Sequence, residues 1–114
     1  MSYEESYQLY NLARESISSG DIKNAISLLS ESNKLYPHFK TLELLGDCNI
    51  KLKNFDEAIH NLEAAVGLNN HVKSRSLLAK AHEEAGKKVK AVEIAKIILL
   101  ETPNNKIAKG IIGE

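Results

Sequence analysis

The sequence predicts an all-α solenoid: three helix-turn-helix repeats closed by a short C-terminal helix. Three observations carry that prediction. Ala25, Ala58 and Ala91 stand 33 residues apart twice over, within the related phrases "GDIKNAISLL", "KNFDEAIHNL" and "GKKVKAVEIA". Each phrase begins in a turn-prone pair: Gly20-Asp21, Lys53-Asn54 and Gly86-Lys87. Around each turn the apolar residues recur at three- and four-residue spacing, the signature of an amphipathic helix.

Taken in order, Leu9, Leu12 and Ala13 begin the first unit, and Ile22, Ile26 and Leu29 share one face of its second helix. Leu42, Leu45 and Gly46 open the second unit, which continues through Phe55, Ile59 and Leu62. The third runs from Leu78 and Ala79 to Val89, Val92 and Ile94-Ala95. Glycine takes the left-handed backbone region without a Cβ clash, so Gly20 and Gly86 suit helix ends. Asp21 and Asn54 can then accept hydrogen bonds from the free amides of the next helix. The spacing predicts pairs of antiparallel helices of about 12–16 residues, repeated because one pair cannot bury its apolar face alone. Residues 1–114 read as one domain, with repeats at about 6–38, 39–71 and 72–104 and a short capping helix over about 105–114.

Helix pairs approach closely only where the contact carries small side chains. Ala13, Gly46 and Ala79 on the first helices are therefore expected to meet Ala25, Ala58 and Ala91 on the second. After Pro103, Ile107, Ala108, Ile111 and Ile112 can cover the last repeat, whose second helix is unusually apolar at Ile94, Ile97, Ile98, Leu99 and Leu100.

The bulk numbers exclude more than they specify. With 114 residues the chain can build a core. Fifteen basic and fifteen acidic side chains leave no net charge, so the total argues for neither nucleic acid nor an acidic membrane surface. The charges are uneven along the chain: residues 1–71 hold six basic and ten acidic groups, and residues 72–114 hold nine and five. That asymmetry belongs either to solvated faces or to a bipolar surface that orients a partner or favours head-to-tail association. A single cysteine, Cys48, cannot form an internal disulfide and suits a reducing compartment. The start "MSYEESYQLY" lacks the basic-then-apolar order of a signal peptide. The longest aliphatic run, "IILL", falls far short of the roughly 18 residues a membrane helix needs. The expectation is a soluble, cytoplasmic protein.

No glycine-rich phosphate loop, nucleophile elbow, H-E-x-x-H or C-x-x-C pair occurs, so the chain reads as no enzyme, without cofactor or metal. His60 and Glu63 lie one turn apart and read as an exposed polar pair. Cys48 has no basic activator nearby and reads as a half-buried, inert thiol. Lys87, Lys88 and Lys90 make a basic turn with no aromatic residues to stack bases, so nucleic acid is not expected as a partner.

The repeated small residues, with Pro37 and Pro103 closing two units, resemble the tetratricopeptide pattern W-x2-L-G-x2-Y, A-x3-F, P. The likeness spans about residues 6–104. The departures are a period of 33 rather than 34, no tryptophan, and Asn70 where the second unit would carry proline. In the family's tyrosine position stands His82, expected to be partly buried and hydrogen-bonded. The resemblance implies a concave groove, built from the first helices, that holds a segment of another protein. Matching positions put Tyr7, Tyr10, Arg14 and Ile17 in it from the first unit. The second gives Lys40, Glu43, Asp47, Ile50 and Lys51, and the third Lys73, Ser76, Lys80, Glu83 and Glu84. Some relatives grip a partner's C-terminal carboxylate; the matching positions here are Tyr10, Arg14, Leu44, Lys73 and Leu77, of which only Lys73 agrees. The implied function is a protein-interaction module, an adaptor or specific inhibitor acting through the groove. The alternative is a self-associating structural protein, a possible homo-oligomer through its apolar C-terminal end.

Overall fold

The computed structural model describes residues 2–113, in which seven helices follow one another without a strand among the described residues. They are α1 (Ser2–Ser18), α2 (Ile22–Leu35), α3 (Phe39–Lys51), α4 (Phe55–Leu68), α5 (Val72–Glu84), α6 (Lys88–Glu101) and α7 (Lys106–Ile112). The pairs α1–α2, α3–α4 and α5–α6 are antiparallel. Near one end of the first pair, Ser6 meets Ser32 and Tyr36; near the other, Asn24 donates to Ser16. Successive pairs stack into a body of 44 × 24 × 21 Å.

The three turns inside the pairs close identically. The amides of Gly20, Lys53 and Gly86 donate to the carbonyls of Ile17, Ile50 and Glu83. The next amides, of Asp21, Asn54 and Lys87, donate to Ser16, Asn49 and His82. This is the Schellman closure, which needs one residue in the left-handed region. Gly20 and Gly86 supply it at φ 86° and 84°, whereas the second turn forces Lys53 to φ 64°. Asp21 caps α2 by accepting from the amide of Asn24 at 3.2 Å. Asn54 does not cap α4. Its Nδ2 turns instead to Asn49 Oδ1 at 3.4 Å, and Asn49 Nδ2 donates to Asn61 Oδ1 at 2.8 Å. That side-chain chain ties α3 to α4 in place of the expected cap.

Packing follows the small residues. Ala13, Ala25, Ala58, Ala79 and Ala91 are fully buried. The side chain nearest Gly46, however, is Leu62 rather than Ala58: a Cβ built on Gly46 would lie 2.4 Å from Leu62 Cγ. Thirty-three residues either way, the same pair of positions reads Ala13/Leu29 and Ala79/Ala95. The second pair thus buries its leucine against a missing methyl. Polar groups also fasten the first pair. Ser6 and Ser32 are both buried; Ser32 Oγ donates to the Ser6 carbonyl at 2.7 Å and Ser6 Oγ to the Ser32 carbonyl at 2.9 Å.

The cap forms as the sequence suggests. Ile98, Ala108 and Ile111 share a buried cluster, so much of the apolar C-terminal end is consumed internally. Asn105 accepts from the Ala108 amide at 2.9 Å, and its Nδ2 donates to Ser76 Oγ at 2.9 Å, pinning α7 to α5. Lys88 Nζ donates to the Ile111 carbonyl at the far end. Arg75 pairs with Glu101 across α5 and α6, and that guanidinium bond holds the Glu101 carboxyl below the usual range.

His82 corrects the expectation made for it. It is buried at 6% exposure, yet neither ring nitrogen has a hydrogen-bond partner among the described residues. Burial first, and then Lys87, pushes its pKa below the ordinary 6.5. The folded protein therefore binds the His82 proton less readily than the unfolded chain. Stability from this source is complete above about pH 6.5 and falls as pH drops from there through the lowered folded value. The expected result is a fall in Tm between about pH 7.5 and 5 that is smaller in His82→Gln. Parallel curves for the two proteins would refute this account.

Candidate functional site

The candidate site begins with a linker that changes direction. Pro37 cannot continue α2, and the residue before a proline is driven to extended backbone. Tyr36 is extended, at φ −156° and ψ 98°, and His38 Nδ1 accepts from the Lys40 amide at 3.1 Å to start α3. The consequence is an aromatic wall. Tyr36 meets Tyr3 edge-on with ring centres 5.1 Å apart. Phe39 stacks on His38 and meets His71 edge-on at 5.2 Å.

Two adjoining depressions lie along α1, α3 and the start of α5. The narrower, of about 300 Å³, is lined by Tyr3, Tyr7, Tyr10, Tyr36 and His38, with Arg14 and Lys40. The broader, more open one, of about 1160 Å³, continues past Ile17, Glu43 and Leu44 to His71 and Lys73. Tyr10, Asn11, Arg14 and Lys40 border both. Tyr7 stands out at 58% exposure, while Tyr10 rests partly buried against the first core cluster. Arg14 and Lys40 are exposed and form no ion pair among the described residues.

Seven of the fourteen residues implied by the resemblance line these depressions: Tyr7, Tyr10, Arg14, Ile17, Lys40, Glu43 and Lys73. Glu43 does so as a buried carboxylate. It accepts from Ser74 Oγ at 2.5 Å, lies 3.0 Å from His71 Nε2, and has Lys73 Nζ at 3.7 Å. Asp47 and Lys51 pair with each other at 3.4 Å one helical turn apart. Ile50 and Ser76 do not reach the surface. Ile50 is buried among Leu77 and Ala81 where α3 packs on α5, and Ser76 is sealed by Asn105. Lys80, also on α5, is half-buried and borders neither depression. Ser76 is closed here because α7 packs against α5, and Ile50 because α5 packs against α3. Sequence reading missed Tyr3, Tyr36, His38, Phe39 and His71. The dense run Tyr36-Pro37-His38-Phe39 was the available signal, but it lies between repeats and so outside their register.

Elsewhere the chemistry is plain. Cys48 is fully buried, and burial pushes its thiol up, away from thiolate reactivity. His60 and Glu63 are both exposed. Among the described residues no three His, Cys, Asp or Glu side chains converge as a metal site requires, and no helix is long and apolar enough to cross a membrane.

This stacking of helix pairs defines a class, the tetratricopeptide-repeat scaffolds. Residues 1–65 match the family model described as "Anaphase-promoting complex, cyclosome, subunit 3", and the chain belongs to this family of tetratricopeptide-repeat sequences. No curated protein matches it. Among solved structures, it is similar to the tetratricopeptide domain of Arabidopsis OM64, with a TM-score of 0.91 at 18% identity, covering 98% of this chain and 94% of that one. It is equally similar, at 0.91 and 17%, to the second such domain of human RPAP3, determined with the HSP70 peptide SGPTIEEVD and covering 98% and 95%. The similarity to MamA has a TM-score of 0.88 at 23% identity, over 95% of this chain and 64% of that one. At these identities the likeness is one of fold.

Proposed function

We propose that the protein is a non-enzymatic adaptor or specific inhibitor whose concave depressions hold an extended segment of another protein in the cytoplasm. The observation that carries this reading is the wall of tyrosines around Arg14 and Lys40, two cations without ion-pair partners among the described residues. Tyrosine and arginine are the usual anchors of interfaces, giving contact area and a polar tip for little lost entropy. The RPAP3 domain, determined with a peptide, supports the general use of such a fold.

The segment differs from a chaperone tail. At the five carboxylate-gripping positions stand Tyr10, Arg14, Leu44, Lys73 and Leu77. Leu77 is buried, and Lys73 is already drawn to Glu43. A chain-terminal carboxylate would lose its water without gaining the donors it needs. An internal segment, with an apolar or aromatic residue among the tyrosines and an acidic side chain near Arg14 and Lys40, fits the lining.

The test is recovery of a stoichiometric partner from native lysate, compared with Tyr7→Ala/Tyr10→Ala/Arg14→Ala after circular dichroism confirms its fold. Loss of three interface anchors should weaken the complex by roughly 30-fold or more. Equal recovery by both proteins would move binding off this face. Tight binding of a peptide ending in EEVD would refute the internal-segment reading.

A further inference from the structure

A helix that is apolar on every side is one covered on every side. α6 is such a helix. Ala91, Ala95 and Ile98 are buried inward, while Val89, Ile97 and Leu100 on the other side are 76%, 58% and 84% exposed. The same three positions one and two repeats upstream read Asp56, Ala64, Gly67 and Lys23, Glu31, Lys34. The outward face is polar or small in α2 and α4, and has become aliphatic in α6 alone. Neither depression of the concave side uses a residue of α6.

The charges on this face say what covers it. At about 100° per residue, Val89, Glu93, Lys96 and Leu100 fall within about 60° of one another, with Glu93 and Lys96 on opposite flanks. Neither Glu93 nor Lys96 forms an ion pair among the described residues. We infer that α6 is the interface of a twofold homodimer in which the two α6 helices run parallel. A twofold axis along the helices carries each flank to the opposite side. Glu93 of one copy then stands beside Lys96 of the second, and the contact occurs twice. Val89 and Leu100 meet their own counterparts on the centre line. An antiparallel pairing would instead gather both glutamates on one flank and both lysines on the other, which is unfavourable.

One helix pair is a small interface, so association is weak and dependent on concentration. It leaves both concave sides open. The dimer is a two-handed binder, whose hold on a target carrying two copies of its segment exceeds that of either site.

Light scattering over roughly 10 µM to 1 mM, the range a small interface requires, tests this. The mass should climb from 12.6 kDa toward twice that value. Ile97→Asp/Leu100→Asp should remain monomeric throughout. Glu93→Lys alone and Lys96→Glu alone should each weaken association by about tenfold, and the two together should restore it. Mild oxidation of Val89→Cys should give a covalent dimer, since Cys48 is buried. A constant monomer mass at about 1 mM overturns the inference, as does a double exchange no better than either single one. Cross-linking of Val89→Cys only with Leu100→Cys overturns the parallel arrangement. A monomer that binds neutral phosphatidylcholine vesicles through Ile97 and Leu100 would assign the face to a lipid surface and overturn the dimer.

Discussion

Alanine at position 46 is expected to destabilise the protein by about 1–3 kcal/mol, lowering Tm by roughly 5–15 °C. The sign is opposite to the ordinary one, because glycine in an exposed helix interior costs about 1 kcal/mol relative to alanine. Here the added methyl would lie 2.4 Å from Leu62 Cγ and 2.6 Å from Cδ2. Leu62 is fully buried, and rotation about χ2 leaves Cγ in place, so only a change of χ1 within a packed core would relieve the contact. Either α3 and α4 separate or the leucine leaves its rotamer. Leu62→Ala alone should cost about 2–5 kcal/mol by opening a cavity. The double variant reproduces the Ala79/Ala95 pairing of the third unit, and should cost at least about 1 kcal/mol less than the sum of the singles. Urea unfolding of the four proteins measures this coupling. An unchanged or raised Tm for Gly46→Ala would refute it.

The second large effect falls on Glu43. Its carboxylate joins α3 to the start of α5 through Ser74, His71 and Lys73. Glu43→Ala should cost about 2–3 kcal/mol, since bonds to a charged acceptor count for more than neutral ones. Glu43→Gln, which still accepts from Ser74, should cost clearly less. The glutamine variant also releases Lys73 from its countercharge at the edge of the broader depression. If an acidic segment binds there, affinity should rise severalfold, with stronger salt dependence. Equal stability of the alanine and native proteins would show that this junction is held by apolar packing alone.

These two residues show what could be read from the sequence. The 33-residue spacing of alanines located every helix pair, because small residues at a helix contact and left-handed turns between helices are local requirements. The same pattern could not say that Gly46 faces Leu62, since that depends on the crossing of two helices. It placed Glu43 on the concave side but not beneath it, because Ser74 and His71 belong to the next repeat. Ile50 and Ser76 were read as exposed for a related reason: the packing of α5 and α7 that covers them is tertiary. Asn54 and His82 fail differently. Each has the right chemistry for a cap or a hydrogen bond, and a neighbour decides against it. The aromatic wall escaped because Tyr36 and His38 occupy the linker, where repeat position carries no instruction.

The three matching turns have a consequence for how the chain is made. Each helix packs extensively on the one before it, so most contacts close over a few tens of residues. During synthesis, α1 can dock on α2 as soon as that helix emerges, without waiting for distant segments. The buried Ser6–Ser32 clasp closes at that first step. The helix with aliphatic side chains on both its inner and outer sides, α6, is written after α5 exists to receive it. Its inner face is therefore covered as it forms, and α7 is then laid over the edge of that face.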